Sequence, residues 1–170
     1  MRYRMLRAGL PLAALSLVAA TIPGIAAAAA PAAPSAPDGS ARHCTFQVGT
    51  GQQRCFGTLA EATASAEQRT ADARDGEVVQ ATLFDGENYG GDSFTIYGAG
   101  LCEKDGWVEY QLDLPDDWKN RVTSVQPWAN CWIWLYPEPN LGGDRDGPFE
   151  ENTGYVGDLM NDRTQSVGLS

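Results

Sequence analysis

The sequence predicts an all-β fold built from two tandem Greek-key motifs packed as one sandwich, and three observations predict it. From Val78 onward, short β-branched and aromatic runs alternate with Gly, Asp, Asn and Pro punctuation. Residues 83–91, LFDGENYGG, return at 135–143 as LYPEPNLGG. A second element, WKNRVTSV at 118–125, returns at 160–167 as MNDRTQSV. The first pair is offset by 52 residues and the second by 42, so the first copy carries ten extra residues, around LCEKDGWVEYQ beside Cys102. A repeat of about 40 residues with four short strands has the size of a Greek key.

The elements follow in chain order. Arg2, Arg4 and Arg7 precede an apolar run from Ala8 to Ala30, with small-residue cleavage patterns near Ala26 to Ala28. That pattern predicts a secretory signal peptide over 1–30 rather than a retained anchor, because Pro11 and Pro23 interrupt the apolar run. Residues 31–42, PAAPSAPDGSAR, read as a disordered spacer. Over 43–77 a small separate segment is expected. CTFQV and RCF form a hairpin around Gly49-Thr50-Gly51, and a helix runs from Leu59 to Arg69. Thr58 and Glu61 form the capping box that starts this helix, and its thin alanine face implies loose docking. The polar stretch TADARDGE connects it to the β-domain, 78–170.

Within that domain, period-two alternation puts Val79, Ala81 and Leu83 on one face of the first strand. Phe94 and Ile96 share a face of the next strand, as do Cys131, Ile133 and Leu135 of a later one. Trp132, Trp134 and Tyr136 point the opposite way. With Trp128 they are either a stacking platform for a carbohydrate or peptide, or aromatic packing of a sheet; packing is the plainer reading. Trp118 is expected to anchor the arch that follows it. Gly91 and Gly143 stand where a folded hairpin needs positive φ. Ser124 and Ser166 are placed to hydrogen-bond the backbone of those hairpins and lock them.

Four cysteines, an even number in an exported chain, read as two disulfides. Three pairings are formally open, and Cys44–Cys55 with Cys102–Cys131 is the expected one. No C-x-x-C or Cys/His spacing suits zinc.

Charge and composition exclude several functions. The 22 Asp and Glu against 12 Lys and Arg give −10, and loss of the three leader arginines takes this to −13. Such a chain repels nucleic acid and suits divalent cations. No membrane association is expected once the leader is removed, and the chain is expected to be an extracellular monomer. His43 is the sole histidine and stands at the edge of the spacer, so a hydrolytic triad has no base. Phosphate-loop, zinc-protease and dinucleotide motifs are missing. No catalytic residues are assigned and no enzyme is expected.

The hairpin Phe84-x4-Tyr89-x-Gly91, the arches Lys119-Asn120-Arg121-Val122-Thr123-Ser124 and Asn161-Asp162-Arg163-Thr164-Gln165-Ser166, and their repetition resemble the βγ-crystallin family over 78–170. The resemblance implies two Greek keys in a pseudo-twofold sandwich and, as in many microbial members, two Ca²⁺ sites where an arch meets the partner repeat's hairpin. It implies Asp85, Asn120, Arg121 (through its carbonyl) and Thr123 as ligand positions, with Asn161, Asp162, Arg163 (carbonyl) and Gln165 in the second copy. Oxygen ligands of this kind suit a hard cation. The departures are Lys119, whose ammonium repels a cation, Gln165 where a hydroxyl is expected, and Pro137 where an acid is common. The expected function is a secreted structural or binding module with weak Ca²⁺ binding. The alternative is a proteinaceous inhibitor of an extracellular peptidase, or a killer-toxin-like antimicrobial protein, since the fold also occurs in such secreted proteins. An inhibitor would use the Cys102 insertion as its rigid loop.

Overall fold

The computed structural model describes residues 41–72 and 76–170. The expected leader and all but the last two residues of the expected spacer lie outside that range, as does part of the connector 70–77. Arg42, read as spacer, is tied to the fold. Its N–H donates to Asp92 Oδ1 at 2.6 Å, its carbonyl accepts from Ser93 N–H at 3.1 Å, and its guanidinium pairs with Asp117.

The strands are β1 (His43–Gln47), β2 (Gln52–Phe56), β3 (Val78–Phe84), β4 (Ser93–Gly98) and β5 (Tyr110–Asp113). They continue as β6 (Ser124–Pro127), β7 (Ile133–Tyr136), β8 (Asp146–Phe149) and β9 (Ser166–Leu169), with one helix, α1 (Leu59–Asp72). The first sheet runs β2-β1-β4-β3-β6 and the second β5-β9-β7-β8. The strand order β4-β3-β6 in one sheet matches β8-β7-β9 in the other, as two copies of one unit require. Each copy also lends a piece to the opposite sheet. β5 leaves the first repeat to pair with β9, and Thr153 of the second bridges to Val125 of β6. Two Greek keys that exchange strands in this way cannot separate without breaking both sheets.

The inner faces supply one core. Leu83, Phe94, Ile96 and Val125 from the first sheet meet Ile133, Leu135, Val167 and Leu169 from the second, with Trp118 and Met160 closing the end. All ten side chains are fully buried, which is the main favourable term for the fold. Phe94 packs on Trp118 with ring centroids 5.2 Å apart, so the arch is anchored by Trp118 as expected.

Two expectations change. Val79 does not share the core face of Ala81 and Leu83, because a bulge between Val79 and Ala81 breaks the alternation. Val79 instead lines a cavity beneath α1. The hairpin β1–β2, expected as a segment apart, is continuous with the first sheet. β1 pairs in parallel with β4 from His43↔Ser93 to Gln47↔Tyr97 and covers what would be an open sheet edge. Helix α1 starts as its capping sequence predicts, with Glu61 N–H donating to Thr58 Oγ1 at 3.2 Å, and it runs three residues past the expected end. Only the small side chains Ala62 and Ala66 are fully buried on it. A cavity of about 420 Å³ remains between α1 and the outer face of the first sheet, lined by Leu59, Thr63, Val78, Thr82, Phe84 and Trp128 among others.

Both disulfides have the expected pairing. Cys44 and Cys55 stand directly opposite on β1 and β2, and Cys102 is bonded to Cys131. Such bridges fit an oxidising compartment. No helix among the described residues is long and apolar enough to cross a membrane.

Candidate functional site

Each repeat folds its hairpin the same way. Asn88 and Tyr89 in the first copy have φ of 53° and 66°, and Asn140 and Leu141 in the second have 55° and 57°. The following glycines, Gly91 and Gly143, have φ of 76° and 78°. A Cβ on Gly91 would lie 2.1 Å from Asp85 Oδ1, so only glycine fits. The hairpin then folds back over a buried serine. Ser124 Oγ accepts from Tyr89 N–H at 3.0 Å and donates to the Gly86 carbonyl at 2.7 Å. Ser166 Oγ accepts from Leu141 N–H at 3.0 Å and donates to the Glu138 carbonyl at 2.6 Å. The serine lock is therefore real in both copies.

The arches are equally matched. Asn120 and Asp162, the second acid-type positions, have φ of 58° and 55°. Asn and Asp tolerate the left-handed region better than other non-glycine residues, so backbone geometry alone accounts for that part of the motif. The arches lie against each other: Asn120 N–H donates to the Thr164 carbonyl at 2.8 Å, and Asp162 N–H to the Val122 carbonyl at 3.2 Å.

Electrostatics separate the two copies. In the first, the Arg121 guanidinium donates to Asp85 Oδ2 at 2.5 Å, Asp92 Oδ2 at 2.7 Å and the Asp117 carbonyl at 2.7 Å. It also lies over the Trp118 ring, 5.0 Å from the centroid. Burial pushes the Asp92 carboxyl up, but the Arg42 N–H and the Arg121 guanidinium outweigh it and hold Asp92 below its ordinary range. Burial lowers Arg121, and the two aspartates more than reverse that. Asp85, one of the implied cation ligands, thus already has a cation. Lys119 is likewise paired, with Asp116 at 2.7 Å. The first arch does not fit calcium: it carries no acid, its opening position is the paired Lys119, and the partner repeat's hairpin offers Pro137 where an acid is common. Asn120 and Thr123 keep their places, yet neither carries charge.

The second arch is different. Asn161 Oδ1 is buried without a hydrogen-bond partner, which costs free energy unless something else meets it. Asp162 is exposed beside it, and its Oδ2 accepts from Asn161 Nδ2 at 3.3 Å. Gln165 and Arg163 follow on the same arch. Tyr155 Oη donates to Asp158 Oδ1 at 2.5 Å. That bond, then desolvation and the charges of Asp158, Glu87 and Asp162, raise the phenol above its ordinary value. Glu87 belongs to the first hairpin, so acids from the partner repeat's hairpin and from the second arch share this neighbourhood. An orphaned amide oxygen beside the Asp162 carboxylate is a start on the oxygen ligand set that a hard cation takes.

Sequence reasoning missed one feature. Glu103, Asp105 and Glu109 bring their carboxylates within 4.8 Å of one another, all exposed, on the insertion of the first repeat. The residue spacing of that loop carries no recognised ligand motif, so only the fold reveals the cluster.

No family model matches the sequence, and no curated protein matches it. Solved structures similar to the chain include a βγ-crystallin domain from Clostridium beijerinckii, at 20% identity and a TM-score of 0.41, covering 53% of this chain and 95% of that one. A βγ-crystallin domain from Flavobacterium johnsoniae is similar at 18% identity and 0.40, covering 53% and 92%. The N-terminal domain of Protein S is similar at 17% identity and 0.42, covering 54% and 94%. The first two carry the name of the family that the hairpins and arches resemble.

Proposed function

We propose that this chain is a secreted βγ-crystallin-like structural and binding module whose calcium binding is weak and belongs to the second arch alone. The observation that carries the calcium assignment is the buried, unpartnered Oδ1 of Asn161 beside Asp162. The first arch carries no acid and has Pro137 on the partner repeat's hairpin, while its Arg121 is held by Asp85 and Asp92. One arch with few charged ligands implies affinity at the weak end of the calcium range, about 10⁻⁴–10⁻³ M, as in extracellular modules. Two disulfides and an acidic balance support a place outside the cell.

The test is calorimetric titration of the disulfide-intact chain with millimolar Ca²⁺, paired with thermal melts. A saturable heat and a rise in Tm, both lost in Asn161→Ala, are expected. No heat and no change in Tm would defeat the calcium reading. The inhibitor reading draws on a separate observation: the stapled insertion exposes Leu101 and Trp107, as a rigid inhibitory loop would.

A further inference from the structure

Trp107 is the most exposed large apolar side chain among the described residues, at 78%. An indole left in water needs a reason, and its surroundings supply one. Asp105, Trp107, Trp132, Trp134, Arg145 and Pro148 line an open cleft of about 430 Å³, within the size range of small-molecule sites. Three of the five tryptophans thus converge on one place, from the insertion of the first repeat and from the outward face at β7.

The cleft is held, not merely adjacent. Cys102–Cys131 ties the insertion to the residue before Trp132, and Cys102 N–H donates to the Ala129 carbonyl at 3.1 Å. Trp107 N–H donates to Asp105 Oδ1 at 2.8 Å, and Glu109 N–H to the Leu169 carbonyl at 2.9 Å. Opposite, the Arg145 guanidinium stacks on Trp134 at 3.8 Å from the ring centroid. No ion pair or side-chain hydrogen bond engages Arg145 among the described residues. Stacking fixes its plane while its five N–H donors stay available.

Charge selects the ligand. An anion would gain from Arg145 but meet Asp105, Glu103 and Glu109 at the rim and a net charge of −10. A cation would gain from those acids but meet Arg145 inside the cleft. A neutral ligand with a flat apolar face and a rim of hydroxyls satisfies every group. Its C–H face lies on indole, its hydroxyls accept from Arg145 and donate to Asp105, and no charge is desolvated unpaired. We infer that this cleft binds a neutral oligosaccharide through its pyranose rings. The site specifies what the module binds and does not depend on calcium at the second arch.

The experiment titrates the full chain, both disulfides formed, with chitohexaose, cellohexaose and laminarihexaose, reading heat and tryptophan fluorescence, in EDTA and again in millimolar Ca²⁺. At least one hexaose binds in EDTA. Trp107→Ala weakens it about tenfold or more, the scale expected for loss of one stacking face, and Arg145→Met weakens it too. Because Trp107 is exposed, its variant keeps the Tm of the parent. Binding in EDTA with no calcium heat would sink the calcium reading alone. The inference is overturned if none of the three binds at millimolar concentration, or if neither substitution changes binding. It is also overturned if a hexagalacturonate or a lysine hexapeptide binds in their place, or if the loop inhibits a peptidase and no sugar binds.

Discussion

Replacing Arg121 with Gln removes a charge that four groups share. The guanidinium serves Asp85, Asp92 and the Asp117 carbonyl and rests on Trp118. A hydrogen bond to a charged group is worth about 1.5–3 kcal/mol when buried, and breaking a fully buried ion pair costs about 3–5 kcal/mol. Here the side chains keep 33%, 23% and 20% of their exposure, so solvent screens the pairs. Discounting for that leaves about 2 kcal/mol. For a chain of this size that is a fall in Tm of roughly 4–8 °C. Arg121→Lys should fall between, since a point charge cannot bridge both carboxylates in the same plane. The variant has a second signature. With Asp85 and Asp92 released, millimolar Ca²⁺ should stabilise Arg121→Gln by more than it stabilises the parent. Calorimetric melts at pH 7 and low salt, with EDTA or Ca²⁺, read both effects. A change in stability below about 0.5 kcal/mol would refute the ion-pair reasoning. An equal calcium increment in parent and variant would refute the idea that Arg121 stands in for a cation.

Ser124→Ala and Ser166→Ala each delete a fully buried hydroxyl that makes two backbone hydrogen bonds. Each should cost about 2–3 kcal/mol, seen as a lower urea midpoint at unchanged slope; a loss under about 0.5 kcal/mol would mean the hairpins need no lock. Acid should act in two windows. Burial lowers His43 from its ordinary 6.5, against the opposing pull of Asp92 and Asp85, so its contribution is complete above 6.5 and is lost as pH falls through the lower folded value. Asp92, held below 3.8, loses its contribution in the same direction but only under 3.8. His43→Asn should therefore flatten the first window in pH-dependent melts and leave the second.

Features that depend on a few neighbouring residues were legible in the chain. The glycines at positive φ, the capping Thr58 and the opposed Cys44 and Cys55 follow from local stereochemistry, and the serines beneath the hairpins, though distant in sequence, belong to an element the chain states twice. The candidate cation site was legible only in outline. The motif supplied both arches, but the partners of Arg121 lie 36 and 29 residues away. Among 22 acids, no pattern marks which two will face a given arginine. Trp132 and Trp134 were singled out as outward-facing, whereas Trp107 joined them only through the Cys102–Cys131 bridge and the path of the insertion.

By itself, the sequence determined the two-copy architecture, because backbone conformation and hydrophobic alternation are short-range and a repeat states them twice. Tertiary structure decided what depends on register between distant strands: β1 laid parallel on β4, β5 lent to the second sheet, and the bulge that turned Val79 away from the core. It also decided that one arch lays its arginine between two carboxylates of its own repeat's hairpin while the other keeps an orphaned amide oxygen. A charge or a polar atom has no fixed meaning along the chain, since its free energy is set by which groups packing brings within a few ångströms and how much water it leaves there.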